Sequence, residues 1–249
     1  MATHPSAAPA STRLHIAPVR RFPLLEKYFY FGMSLLVTAV VVYGFSHTVD
    51  HRLIHANPAP PWILWLHGIV FSGWLAFFIF QSALIRTHNV KLHRKTGWFG
   101  AGLGALIPVL GISTAIVMNR FDFFQLHRAD AKVFLSIQLW DMAAFTACFW
   151  LAVFWRRKPE YHRRLVLVAT CALTAAGFGR FPWISHQWFY IGVDALILLG
   201  IARDLIVNRR IHVVYRYALP VFIVGQIVVV QLWLHHPAWW VRFTNAIMG

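Results

Sequence analysis

The chain has 249 residues, 59% of them hydrophobic and 12% charged, about half the charged share of a soluble domain. Lys and Arg number 23 against 8 acidic residues, for a net charge of +15. These figures exclude a soluble enzyme, a disordered regulator and a disulfide-stapled secreted domain, and they point to an all-α polytopic membrane protein.

Residues 1–25 read as a disordered basic tail, rich in Ala, Pro, Ser and His and carrying Arg13, Arg20 and Arg21. The apolar run that follows is too long for a signal peptide and has no small-residue cleavage site. Residues 26–236 hold seven apolar runs of about 20 residues, the length that crosses a hydrocarbon core. They lie near Tyr28–Val49, Pro61–Ile85, Gly97–Met118, Val133–Trp155, Leu165–Trp183, Trp188–Val207 and Val214–His235. Residues 237–249, with Trp239, Trp240 and Arg242, read as a short interfacial tail. Cys148 and Cys171 fall inside apolar runs and read as small buried hydrophobes. Gly100 and Gly104, four apart in the third run, mark a packing face.

The basic residues alternate from loop to loop. Seventeen fall in the tail and in the loops after the second, fourth and sixth runs; six fall on the opposite side. This places the N-terminus in the cytoplasm and the C-terminus in the periplasm of a bacterial inner membrane. The excess charge is then loop charge that meets anionic lipid at the cytoplasmic face. Nucleic acid is not an expected partner, since no soluble domain remains to carry it. Protein partners leave no readable mark.

Ionisable groups at membrane depth are functional candidates. His67, Asp141 and Asp194 lie about six to eight residues into the second, fourth and sixth runs, roughly 9–12 Å from the outer boundary. Gln138 shares a helical stripe with Asp141, and Tyr190 lies one turn from Asp194. His47, His51 and His55 are spaced four and four at the end of the first run, with Asp50 beside them and Arg180 and His186 at the same mouth. A helix continuing past Val49 would put the three His on one face. His at that spacing can bite a divalent metal, with His67, Asp141 or Asp194 as further ligands. The same groups could relay protons, bind a quinone, or fix packing through an ion pair of Arg180 with Asp141 or Asp194.

At the inner face His93 and His162 begin the third and fifth runs at matching depth. They sit in the related segments Leu92-His93-Arg94-Lys95 and Tyr161-His162-Arg163-Arg164. Two imidazoles on facing helices can clamp a haem iron from both sides; the same residues can also serve as head-group anchors.

His67, Trp74 and Gln81, followed by Leu92-His93-Arg94-Lys95-Thr96-Gly97, resemble a widespread set of bacterial polytopic membrane proteins. Those carry His-x6-Trp-x6-Gln and then Leu-His-Arg-Arg-Leu-Gly. The segment Arg157–Leu165 is similar to a second block of the same set. The resemblance covers roughly residues 60–185 and implies topology but no activity. A looser resemblance is to transmembrane b-type cytochromes, where His on the second and fourth spans, and on the third and fifth, pair on haem. His93 and His162 match the latter pair and His67 the second-span ligand. The fourth run offers only Gln138 and Asp141, so the resemblance implies at most one haem b. Seven-span zinc hydrolases of the ceramidase type carry His-x3-His in the last span, where this chain has only His235-His236. The reading that leads is a metal-dependent membrane enzyme using the outer His/Asp pocket; the alternatives are a haem- or quinone-linked redox and proton-handling protein and a non-enzymatic assembly factor, carrier or sensor.

Overall fold

The apolar runs fold as helices, and the described residues contain no strand. The structure is a computed structural model that describes residues 23–185 and 187–249. The expected N-terminal tail lies almost wholly outside them, as does His186. The helices are α1 (Pro23–Ser46), α2 (Ile63–Arg86), α3 (Val90–Phe124), α4 (Leu135–Phe154), α5 (Pro159–Ala172), α6 (Ala175–Phe178), α7 (Tyr190–Asn208), α8 (Val213–His235) and α9 (Ala238–Met248). A single π-helical turn, Asp50–Ile54, follows α1.

The boundaries follow local chemistry. Asn89 caps α3 by accepting the Leu92 N–H. Pro159 opens α5, where no N–H is needed. The Nδ1 of His212 accepts the Val214 N–H at the start of α8. The left-handed residues Arg209 and His236 end α7 and α8.

Five helices are long and apolar enough to cross a membrane: α1 from Leu24, α2, α3, α4 and α8. The chain is a multi-pass membrane protein. Its outward faces are apolar, with Ile69, Val109, Val221 and Val224 all exposed, as expected where lipid is the solvent.

The fifth and sixth runs differ from the other five, and the packing says why. α1, α2, α3, α4, α8 and α7 contact one another in that order and close into a ring. α5 touches α1, α4, α7 and α8 and so lies inside it. Leu165 and Leu167 through Ala172 are all buried, which leaves α5 no lipid face. A helix surrounded by protein has no need of a long apolar stretch. α5 and α6 together nevertheless run the depth of the core. At one end Arg163 lies over the Tyr30 ring of α1; at the other the Gly177 backbone packs on Gly44 of α1. Both pairs are separated by fourteen residues, about 21 Å of helix. α7 runs beside them, its apolar sequence interrupted by Asp194, Arg203 and Asp204.

Three expectations change here. Gly100 and Gly104 pack against the rings of Phe77 and Phe149, where a Cβ would overlap them, and not against another backbone. The close backbone approach is instead Gly44 on Gly177. The C-terminal tail is a packed helix: Trp240 is buried and donates its Nε1–H to the Val133 carbonyl at 3.1 Å, and Met248 is buried beside Leu135. Finally, α1 does not continue past Val49 as an α-helix. The chain turns at His47–Thr48 and enters the π turn, where the His55 N–H reaches the Asp50 carbonyl at 2.8 Å.

The core is aromatic. Trp74 meets Phe145 and Phe149 edge-on, at 5.4 and 5.8 Å between ring centres. Its indole N–H points to Thr170 of α5 at 3.4 Å. Trp74 thus ties α2 to α4 and to the central helix.

Candidate functional site

The bundle has two polar ends. The His-rich end gathers the C-terminus of α1 and the N-termini of α2, α4 and α7. The basic end gathers the opposite termini and the basic loops.

At the His-rich end the proposed ligands do not meet at one point. Among the described residues no group of three or more His, Cys, Asp or Glu side chains is placed to hold a metal ion. The π turn removes the common face that α-helical spacing would give His47, His51 and His55. All three are exposed. The His47 Nδ1–H donates to the Tyr43 carbonyl at 2.8 Å. His55 pairs with Asp50 at 2.6 Å on the surface.

The deeper groups form separate pairs. The Tyr190 hydroxyl donates to Asp141 at 2.8 Å, both groups buried. Gln226 of α8 donates to Asp194 at 3.1 Å. Gln138 accepts from Asn119 at 2.6 Å. His67 stacks on Phe71 at 3.9 Å between ring centres, and its buried Nδ1 has no partner among the described residues. The expected ion pair of Arg180 with Asp141 or Asp194 does not form. Arg180 instead donates to Thr48 at 3.1 Å and to the Ala176 carbonyl, and covers the Phe45 ring. These contacts tie the 179–189 connection to α1.

At the basic end the two sequence-matched histidines come together. The ring centres of His93 and His162 are 6.3 Å apart, with planes inclined at 75°. The Nδ1–H of His162 donates to the Ala152 carbonyl of α4 at 2.9 Å. That bond fixes the tautomer and leaves the Nε2 lone pair free. The Nδ1 of His93 is buried without a partner among the described residues. One turn along α3, Gly97 leaves open space where a side chain would stand.

The largest polar cluster was not legible as a site. Arg164, on the central helix, is fully buried and grips Asp204 of α7 with two bonds, Nε to Oδ2 at 2.7 Å and Nη2 to Oδ1 at 2.6 Å. Its third nitrogen donates to the Glu160 carboxylate and carbonyl. Arg203, 1% exposed, donates to the same Asp204 Oδ1 at 3.0 Å. Loop-charge counting assigns Arg164 and Arg203 to the head-group region; the structure buries both. The missed signal was the adjacent Arg203-Asp204 inside an apolar run.

At the edge of this cluster, burial works against the Glu160 carboxylate. The Arg164 and Arg163 guanidiniums outweigh burial and hold its pKa below the ordinary value. Burial, helped by Arg164, lowers the pKa of His212, although Asp204 and Glu160 oppose it. Its Nδ1 is then an acceptor, as the bond from Val214 requires.

No protein-family model, no curated protein and no solved structure matches the chain.

Proposed function

We propose that the chain is a seven-span inner-membrane redox protein that holds one haem-type group between His93 and His162. The observation that carries this reading is the meeting of those two rings at 6.3 Å. Two imidazoles this close, on separate helices, would hold such a group between them. The carbonyl bond to His162 is the outer partner that metal-ligating histidines use. Two protein donors suit a group that brings its own in-plane ligands, as haem does, better than a free divalent ion. When bound, such a group supplies one-electron transfer. His67 and the Asp141–Tyr190 pair at the opposite end would then handle protons. A divalent-metal enzyme at the His-rich end is the weaker reading, because its donors stand apart.

Seven spans are supported by α5–α6 and α7 running the depth of the ring. The alternation of basic loops supports a cytoplasmic N-terminus and a periplasmic C-terminus.

The test is a reduced-minus-oxidised absorption spectrum of protein purified from haem-supplemented cells. The wild type shows a haem difference spectrum. His93→Ala and His162→Ala lose it, while His47→Ala and His51→Ala keep it. A folded, haem-free wild type overturns the reading. Zinc or copper at about one per chain that His47→Ala removes would return the site to the His-rich end.

A further inference from the structure

Arg203 is a buried charge with most of its hydrogen-bonding capacity unused among the described residues. Its side chain is sealed from solvent, yet its Nε and Nη2 have no partner among the described residues. Only Nη1 is engaged, and it shares Asp204 Oδ1 with Arg164 and with Asn208 at 3.0 Å. The other Asp204 oxygen takes the Arg164 Nε–H. Asp204 therefore cannot neutralise both guanidiniums. Across the cluster Arg163, Arg164 and Arg203 face only Glu160 and Asp204, which leaves one positive charge unmatched.

Two buried hydroxyls of the cluster are also without partners among the described residues. The Tyr30 ring lies under both Arg163 and Arg203, whose guanidinium carbons are 5.3 and 5.8 Å from its centre. The Tyr30 hydroxyl has no partner among the described residues. The Tyr215 hydroxyl of α8, also unpartnered, rests on Gly200, one turn before Arg203 on the same face of α7. A Cβ at Gly200 would overlap that hydroxyl, so the glycine makes the room it occupies. The Nε of Arg163, on the surface side of Tyr30, completes the set. Every one of these groups can donate, and among the described residues none of them meets an acceptor. Burying donors without partners is costly, and more so when they are charged. Such a constellation is complementary to one small oxyanion.

We propose that Arg203, Tyr30 and Tyr215 line a buried oxyanion site at the basic end of the bundle, taking one phosphate-type group. The group is either a free phosphate or the phosphodiester of a lipid head group that enters past Arg163. The site does not depend on the His93–His162 centre.

The test uses the full chain, purified in detergent and delipidated, with inorganic phosphate as probe. Chloride at matched ionic strength is the control. Phosphate raises the Tm of the wild type saturably, as a ligand of the folded state must. Tyr30→Phe and Tyr215→Phe each remove one donor and leave the Arg203–Asp204 pair in place. Each weakens the apparent phosphate affinity about tenfold. Arg203→Gln abolishes the response, but it also breaks the pair with Asp204, so the two tyrosine variants carry the test. Native mass spectrometry before delipidation separates the sources. A phospholipid retained by the wild type and lost from the double tyrosine variant identifies a head group; a phosphate response with no retained lipid identifies free phosphate. A wild type that neither responds to phosphate nor retains phospholipid contradicts the proposal. So does a phosphate response unchanged in both tyrosine variants.

Discussion

Asp204 accepts four hydrogen bonds from three side chains: Arg164, Arg203 and Asn208. Its neutralisation strands two buried guanidiniums. Asp204→Asn should therefore destabilise the bundle by about 3–5 kcal/mol, the cost of breaking a buried pair from one side. The measurement is Tm in detergent, and an unchanged Tm would contradict the network's role. Glu160 is a milder case, because its side chain is over half exposed and screened by solvent. Its pKa is held below the ordinary carboxylate value, so its ion pairs are fully present above about pH 4.3 and are lost as pH falls through the folded-state value. The wild type should lose Tm on acidification below that point faster than Glu160→Gln does, and by less than about 1 kcal/mol. Parallel Tm curves for the two proteins would contradict this. At this scale the sequence was half legible. Two matched loop segments singled out His93 and His162, though they read equally well as head-group anchors, and only the packing shows the two rings meeting. The Arg164–Asp204 pair was not singled out, because a basic residue near a span end reads equally well as a head-group anchor, and only packing separates the two.

The helices themselves were written plainly in hydropathy. What hydropathy could not show was that α5 is the centre of the ring. A helix enclosed by protein need not be strongly apolar, so the short α5 reads in hydropathy only as a weak span, and only the small residues Ala169, Cys171, Ala172, Ala175 and Gly177 hinted at close neighbours. The His47-His51-His55 spacing failed for a different reason. Periodicity assumes 3.6 residues per turn, and the π turn after Val49 abolishes it. The contact of α1 with α6 supplies a direct test. At Gly44 a Cβ would run into the Gly177 backbone, which has no flexible end to move aside, whereas at Gly32 it would meet nothing within 4 Å. Gly44→Ala should lower Tm and the yield of monodisperse protein. Gly32→Ala should be neutral or slightly stabilising, since alanine favours the helix by up to about 1 kcal/mol. Equal behaviour of the two variants would refute the close approach.

For the whole molecule, topology and cofactor are the two claims that matter. A five-span chain and a seven-span chain both place their ends on opposite sides, so terminal tags alone do not separate them. Single cysteines do, because the native Cys148 and Cys171 are buried. With seven crossings, cysteines at Gln187 and His51 react with a membrane-impermeant maleimide from the same side, and one at Arg157 does not. If α5–α7 failed to cross, Gln187 would follow Arg157 instead. The two-imidazole centre at the basic end is tested by iron per chain in folded wild-type protein alongside His162→Ala. About one iron per wild-type chain, carried in a haem spectrum and absent from the variant, is the expected result. Iron-free wild type, or iron retained in full by His162→Ala, would contradict it.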